Sequence, residues 1–335
     1  MLRKILIFSL LLILLTACAP RAANTPTSAP VATEMPVTES PATQAPTASP
    51  APTASPAPST LTFTDGLGRE ITLNRPAQRV VSLAPSNTEI LFAIGAGDQV
   101  IGRDQLSDFP EEAKKVTDVG STFDALNTEQ IVSLKPDLVL AAEINTPEQV
   151  KQLEDLGLTV YYLKNPLTLE EMYSNLETVA QLTGHEQETA TLIESLKARV
   201  AAVDAKIAPV SSRPNVFYEL DGTDPAKPFT AGKGTFITQL IDRAGGHNIA
   251  ADLEGYPQMS LEQVVAADPA FIILGDARYG ITIESIAQRP GWKNLIAVKN
   301  GQIVPFNDDL VSRPGPRLVD AFEELAKLIH PELFK

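Results

Sequence analysis

Apolar residues along this chain follow two alternating patterns. Short unbroken runs read as strands: Arg79-Val80-Val81-Ser82-Leu83, Val100-Ile101-Gly102, Leu138-Val139-Leu140-Ala141 and Val160-Tyr161-Tyr162-Leu163. Helical signals lie between them. Ser86-Asn87-Thr88-Glu89 predicts a capping box ahead of Ile90, Leu91 and Ile94, and Gly95 closes that helix. Runs that are apolar on both faces, separated by helices, predict parallel sheets covered on both sides.

From Leu169 to Ile207 the period is purely helical. Leu169, Met172, Leu176, Val179 and Leu182 share one stripe, and Ile193, Leu196, Val200, Val203 and Ile207 share another, divided at Gly184. Pro209 and Pro214 end the second helix, and strands return at Val216-Phe217-Tyr218, Phe271-Ile272-Ile273-Leu274 and Gln302-Ile303-Val304. The layout predicts an α/β lobe over 61–165, a helical bridge over 166–210 and a second α/β lobe over 211–335.

The two lobes repeat one another. Glu129-Gln130-Ile131-Val132 leads to Pro136 and the strand at Leu138; Glu262-Gln263-Val264-Val265 leads to Pro269 and the strand at Phe271. Both glutamates and both prolines are offset by 133 positions. A glutamate, an apolar helix and a proline before a buried strand, recurring in register, predict an internal duplication.

The amino terminus breaks the pattern. Arg3 and Lys4 precede an apolar run from Ile5 to Leu15, the length of a signal-peptide core and too short for a membrane span. The run ends Leu15-Thr16-Ala17-Cys18, which resembles the lipobox of bacterial lipoproteins, so 1–18 is expected to be a signal peptide and Cys18 the lipidated residue. Residues 19–60 hold 10 of the 27 prolines, and Ala, Pro, Thr and Ser make 34 of these 42 positions. Such a stretch cannot bury a core and is expected to be a disordered tether.

Residues 61–335 carry 24 bases against 39 acids, a formal charge of −15 that excludes nucleic acid as a partner. The single cysteine excludes an intramolecular disulfide and a cysteine zinc cluster. His185, His247 and His330 lie far apart without ligand spacing, so no metal site and no cofactor is expected. No phosphate loop, Gly-x-Ser-x-Gly elbow or His-Glu-x-x-His appears, and Asp308-Asp309 has no evident catalytic partner, so the chain does not read as an enzyme.

Several stretches together point to a family: Arg79-Val80-Val81-Ser82-Leu83-Ala84-Pro85-Ser86-Asn87-Thr88-Glu89, Leu134-Lys135-Pro136-Asp137-Leu138-Val139, Thr230-Ala231-Gly232-Lys233-Gly234-Thr235-Phe236, Ala244-Gly245-Gly246-His247-Asn248-Ile249 and Tyr256-Pro257-Gln258-Met259-Ser260-Leu261-Glu262-Gln263-Val264. Over nearly all of 61–335 the chain resembles the periplasmic binding proteins for iron complexes and cobalamin, the ligand-capturing subunits of ABC importers. The last two runs are most similar to the cobalamin-binding branch. The resemblance implies two Rossmann-like lobes joined by a helix, a ligand cleft between them and small hinge motion. It also implies a monomer that is lipid-anchored to the cell membrane, facing the periplasm or cell exterior. The ligand it implies is a corrinoid, with a ferric siderophore or haem as the alternative, delivered to a permease dimer. In the family one glutamate on each lobe meets permease arginines, and the matching positions are Glu129 and Glu262.

A cleft formed by loops at the C-terminal ends of the strands has candidate lining residues Pro85, Ser86, Asn87, Arg103, Leu106, Phe123 and Asn145 in the first lobe. In the second lobe the candidates are Asp221, Phe229, Tyr256, Tyr279, Leu310 and Arg313. Phe123 and Tyr256 stand where the cobalamin branch presents aromatics to the corrin ring; Leu106, Ala142 and Leu310 stand where further aromatics are expected. Arg103, Arg278 and Arg313 read either as partners for anionic ligand groups or as ion pairs within the protein. Replacing the expected acyl site, Cys18→Ser, in protein expressed with its leader in a bacterial host is expected to shift it from the membrane to the soluble fraction. A wild-type protein found wholly soluble after correct processing contradicts the anchor.

Overall fold

A computed structural model describes residues 60–123 and 126–335. The signal peptide, Cys18 and the tether up to residue 59 lie outside the described residues. A hairpin opens the fold, β1 (Leu61–Thr64) against β2 (Glu70–Leu73). The first lobe follows as β3 (Val80–Ser82), α1 (Pro85–Ala93), β4 (Val100–Arg103), α2 (Thr128–Ser133), β5 (Leu138–Ala142), α3 (Pro147–Asp155) and β6 (Val160–Leu163). Its four strands are parallel, in the order β4-β3-β5-β6.

The bridge consists of α4 (Leu169–Thr183) and α5 (Glu186–Ile207). The chain reverses between them at Gly184, whose φ of 80° is left-handed backbone that glycine adopts without steric cost.

The second lobe runs β7 (Asn215–Asp221), β8 (Phe229–Thr230), α6 (Phe236–Arg243), β9 (His247–Asn248), α7 (Leu261–Ala267), β10 (Phe271–Leu274), α8 (Ile283–Ala287), α9 (Ile296–Lys299), β11 (Ile303–Pro305), α10 (Asp309–Ser312) and α11 (Leu318–Ile329). β10 lies parallel between β7 and β11; β9 runs parallel beside the start of β7, and β8 antiparallel beside its end.

The sequence repeat has a backbone counterpart. α2 leads through Leu134, Lys135, Pro136 and Asp137 into β5, and α7 leads through Asp268, Pro269 and Ala270 into β10, an inner strand of the lobe in each case. The residues before those prolines, Lys135 (φ 50°) and Asp268 (φ 42°), are the only non-glycine residues with positive φ among the described ones. Such backbone costs about 1–3 kcal/mol, and the chain accepts it twice at the same step of the repeat.

One expected feature is corrected. Ser86-Asn87-Thr88-Glu89 is not a capping box: α1 starts at Pro85, Ala84 is its N-cap, and no side chain caps it. Proline at the first helical position already has the required φ and has no amide to satisfy. The polar residues turn inward instead. Thr88 Oγ1 donates to Ser82 Oγ at 2.8 Å, and Asn87 Nδ2 donates to Leu140 O at 3.1 Å.

The strands carry continuous apolar runs because each sheet has two buried faces. Leu138 and Leu140 turn into one core while Val139 and Ala141 turn into another; Val216 and Tyr218 of β7 join the first, and Phe217 packs edge-on against Trp292 in a third. The first of these cores does not stop at a lobe. It joins Val80, Leu138 and Leu140 of the first sheet to Val216, Tyr218 and Ile273 of the second through both apolar stripes of α4 and α5. α11 belongs to the same core through Leu318, Val319, Phe322, Leu325, Ala326 and Ile329. Arg199 of α5 pairs with Asp320 and Glu323 of α11, and Arg243 of α6 pairs with Asp204 of α5.

Candidate functional site

The C-terminal ends of both sheets face a cleft of about 460 Å³. The loops after six of the strands line it. Ala84, Pro85 and Ser86 follow β3, Gln105, Leu106 and Asp108 follow β4, Ala142 and Ile144 follow β5, and Asn165 follows β6. From the second lobe come Arg278 and Tyr279 after β10, and Asp308, Asp309, Ser312, Arg313 and Pro314 after β11.

Of the residues proposed for the cleft, Pro85, Ser86, Leu106, Phe123, Ala142, Arg278, Tyr279 and Arg313 line it. Phe123 is 71% exposed and Tyr279 77%, with the Arg278 guanidinium 5.5 Å from the Tyr279 ring centroid. Tyr256 is exposed outside the cavity lining, and its phenol is pushed up by burial and by the Asp308 and Glu143 carboxylates, one from each lobe. Phe229 lies on β8 and Leu310 is buried in the shared core; neither lines the cavity.

Three polar candidates act within the scaffold. Asn87 lies beneath the first-lobe wall. Asn145 accepts the Ala142 amide at 2.9 Å and donates to Leu83 O at 3.3 Å and Thr122 Oγ1 at 3.1 Å, joining three loops. Asp221 accepts the Thr223 amide at 2.8 Å, and the Thr223 hydroxyl and amide hold its carboxyl low.

The arginines resolve into internal pairs. Arg103 donates to the carbonyls of Ala113 at 3.1 Å, Asp104 at 2.8 Å and Gln105 at 3.2 Å. Arg278 meets Asp309 at 2.7 Å. Arg313 meets Asp108 at 2.6 Å, Glu89 at 3.2 Å and Asp309 at 3.2 Å. Asp108 is raised by its burial but pulled further down by Arg313, so its carboxyl sits below the ordinary range.

Glu89 is the residue that sequence reasoning misassigned. It is 3% exposed and receives both Arg313 and Arg317, the latter through Nε to Oε2 at 2.7 Å and through Nη2 to Oε1. The Arg317 guanidinium also stacks over Phe109, 4.0 Å from the ring centroid. Glu89, Asp108 and Phe109 belong to the first lobe; Arg313 and Arg317 belong to the second. Burial pushes the Glu89 carboxyl up against the pull of two guanidiniums. The sequence signals were the four-residue spacing of Arg313 and Arg317 and a lone carboxylate ahead of Ile90 and Leu91.

Behind the second-lobe wall, Tyr218 Oη donates to Asp308 Oδ1 at 2.8 Å, and burial raises both groups. Asp276 accepts the Gly222 amide at 2.7 Å and anchors the turn that carries Arg278 and Tyr279. Among the described residues no group of three histidine, cysteine or acidic side chains could hold a metal ion. His185 caps α5, His247 lies exposed on β9, and His330 Nε2 sits 3.1 Å from Gly245 O. The cleft thus offers aromatic and aliphatic surface, carboxylate acceptors and guanidiniums already engaged.

Two parallel-stranded lobes around such a cleft define a solute-binding protein. The periplasmic binding protein family matches residues 80–310, and the chain belongs to it. It is 35% identical over 280 residues, 82% of this chain and 87% of the relative, to an uncharacterized ABC transporter substrate-binding lipoprotein, YvrC, of Bacillus subtilis. It is 35% identical over 256 residues, 76% of this chain and 90% of the relative, to a vitamin B12-binding protein of Salmonella typhimurium. The structure of the periplasmic heme-binding protein RhuT from Roseiflexus superposes with a TM-score of 0.68 at 29% identity, covering 77% of this chain and 99% of that one. The chain is therefore a substrate-binding subunit of an ABC importer, among relatives whose names record binding of vitamin B12 and of heme. No helix among the described residues is long and apolar enough to cross a membrane.

The inter-lobe ion cluster yields a stability prediction. Glu89→Ala leaves two buried guanidiniums short of a partner and is expected to cost about 3–5 kcal/mol. Glu89→Leu combined with Arg317→Leu removes both charges and is expected to recover most of that loss. Urea unfolding of the wild type and these two variants checks this; a double variant as unstable as Glu89→Ala contradicts the pairing.

Proposed function

We propose that the chain captures a corrinoid and hands it to its permease while held to the cell membrane through Cys18. The carrying observation is the cleft itself: Phe123 and Tyr279 stand open at its mouth, and no lining arginine is free of an internal carboxylate. A corrin is a broad ring edged with amides, which donate hydrogen bonds to carboxylates such as Asp308. Haem propionates and the anionic catecholate or carboxylate siderophores are better matched by guanidiniums that are unengaged. The similarity to a vitamin B12-binding protein over most of both chains supports the same reading.

A screen of cyanocobalamin, cobinamide, haem and several ferric siderophores tests the ligand. A corrinoid is expected to form a coloured complex that survives gel filtration and, at 100 times its Kd, to add about 2.7 kcal/mol of stability. No response to either corrinoid beside a clear one to haem or a siderophore reassigns the cleft.

Delivery on this reading uses Glu129 and Glu262. Both are exposed in the first turn of a helix capped by a side chain, Asn127 accepting from the Gln130 amide at 3.0 Å and Ser260 accepting from the Gln263 amide at 3.3 Å. α2 and α7 precede the parallel strands β5 and β10 and run back along them, so their first turns lie at the cleft end of each lobe. Neither carboxylate has a salt-bridge partner among the described residues. The double variant Glu129→Lys with Glu262→Lys is expected to keep its calorimetric affinity for cyanocobalamin and to lose uptake in vesicles carrying the permease, because each reversal sets like charges face to face. Normal uptake by that variant leaves the two residues as helix-dipole partners alone.

A further inference from the structure

The turn that carries Arg278 and Tyr279 in the cleft wall rests on three buried charged side chains. These are Glu219 on β7, Asp276 at the head of the turn and Arg289 after α8, none of them more than 6% exposed. Arg289 grips Glu219 with both ends of its guanidinium, Nη2 donating to Oε1 at 2.8 Å and Nη1 donating to Oε2. The same guanidinium lies over Trp292, 4.8 Å from the ring centroid. Asp276 Oδ2 accepts the Gly222 amide at 2.7 Å, while its Oδ1 is buried and has no hydrogen-bond partner. The Asp276 and Glu219 carboxyls lie within hydrogen-bonding reach of each other. Gly222 covers the group with backbone alone, since a Cβ there would stand 2.3 Å from Glu219 Oε1.

Two carboxyls therefore share one guanidinium, and it is bound to only one of them. Fully ionised, the group keeps a net negative charge out of water and an acceptor without a donor, and both cost free energy. One proton on Asp276 removes both faults: it neutralises the spare charge and turns an orphaned acceptor into a donor beside the Glu219 carboxylate. The surrounding groups bring no second cation. Asp221 and Tyr218 on β7 and Asp308 after β11 are acids, Tyr218 already donates to Asp308, and Arg278 turns outward to Asp309 at 2.7 Å. Burial pushes the Glu219 and Asp276 carboxyls up, with Asp276 adding to the push on Glu219 and Asp221 to that on Asp276.

We infer that Asp276 and Glu219 hold one proton between them above the ordinary carboxylate range, and that this proton positions the Arg278–Tyr279 turn of the cleft wall. Asp276 is a positioning residue. Its carbonyl accepts the Tyr279 amide at 2.8 Å, and its side chain ties that turn to Gly222 beyond the end of β7. When the proton leaves, like charges face each other across the pair and the turn loses its fixed seat. Ligand capture therefore weakens as pH rises through that step. Stability moves the same way: the unfolded chain releases this proton in the ordinary range and the folded chain only above it, so stability falls across that window. The effect on capture rests on the corrinoid reading of the cleft; the shared proton does not.

Asp276→Asn tests this. Its carbonyl can accept the Gly222 amide and its amide can donate to Glu219, so it reproduces the protonated pair at every pH. At about pH 6, where ordinary carboxylates are ionised, the infrared difference between wild type and Asp276→Asn is expected to show a carboxylic-acid C=O band that belongs to wild type and fades at higher pH. Hydrogen exchange of the amides at 276–280 is expected to match in the two proteins while the band is present. Once the band has gone, exchange is expected to run about three- to tenfold faster in wild type, and wild-type affinity for cyanocobalamin to fall by a similar factor while the variant holds level. Absence of the wild-type band overturns the shared proton. A band whose loss changes neither exchange nor affinity relative to the variant overturns the positioning role. Failure of both proteins to bind cyanocobalamin at any pH counts against the corrinoid reading instead, and the infrared and exchange results still decide the proton and the turn.

Discussion

The structure depends on an apolar core that does not end at the lobe boundary. α4 and α5 present two leucine- and valine-rich stripes, and these fill one continuous cluster with the inner faces of both sheets. Any opening of the cleft must therefore slide or bend packed side chains, and packed interiors resist that because their contacts are lost before new ones form. Crossing strands between lobes would hinge freely; a helical bridge buried on one side does not.

Charge works in the same direction on the other side of the cleft floor. Glu89 reaches from the first lobe between Arg313 and Arg317 of the second, and Asp108 takes the outer side of Arg313. A buried carboxylate is costly unless guanidiniums surround it, so the cluster specifies which loops meet more than it adds net stability. It also determines what the cleft has left to offer. Arg313 lines the cavity with its donors engaged, and Arg278 is held by Asp309. What remains for a ligand is aromatic and aliphatic surface, with the lone pairs left on carboxylates that already hold those arginines or Tyr218.

The duplication places matching surfaces on the two lobes. Side-chain caps at Asn127 and Ser260, left-handed residues at Lys135 and Asp268 and prolines after them start and end α2 and α7 in the same way. Helices built alike from equivalent positions project equivalent side chains. The lobes therefore carry two copies of one surface, while the loops after the strands have diverged to line a cleft whose two walls differ.

The sequence by itself determined the layers and their order. Unbroken apolar runs are legible as buried parallel strands because both faces of such a strand are covered, and the two stripes of 169–207 are legible as helices because burial there recurs at helical spacing. The repeat was legible because it is written in the same residues at a constant offset. Short pieces held by neighbours were not: β1, β2, β8 and β9 are two to four residues long, and strands of that size form only where a sheet edge receives them. α11 has a clear apolar face yet was passed over among the proline-rich loops before it. Only the tertiary structure decided the polar residues of the site. Asn87, Arg103 and Asn145 have the chemistry of ligand contacts but meet backbone carbonyls first. Glu89 has the spacing of a capping residue but meets two arginines more than 200 positions away. Apolar burial follows from local periodicity, whereas a charged or amide side chain is assigned by whichever partner the fold brings within about 3 Å, and sequence spacing does not encode that distance.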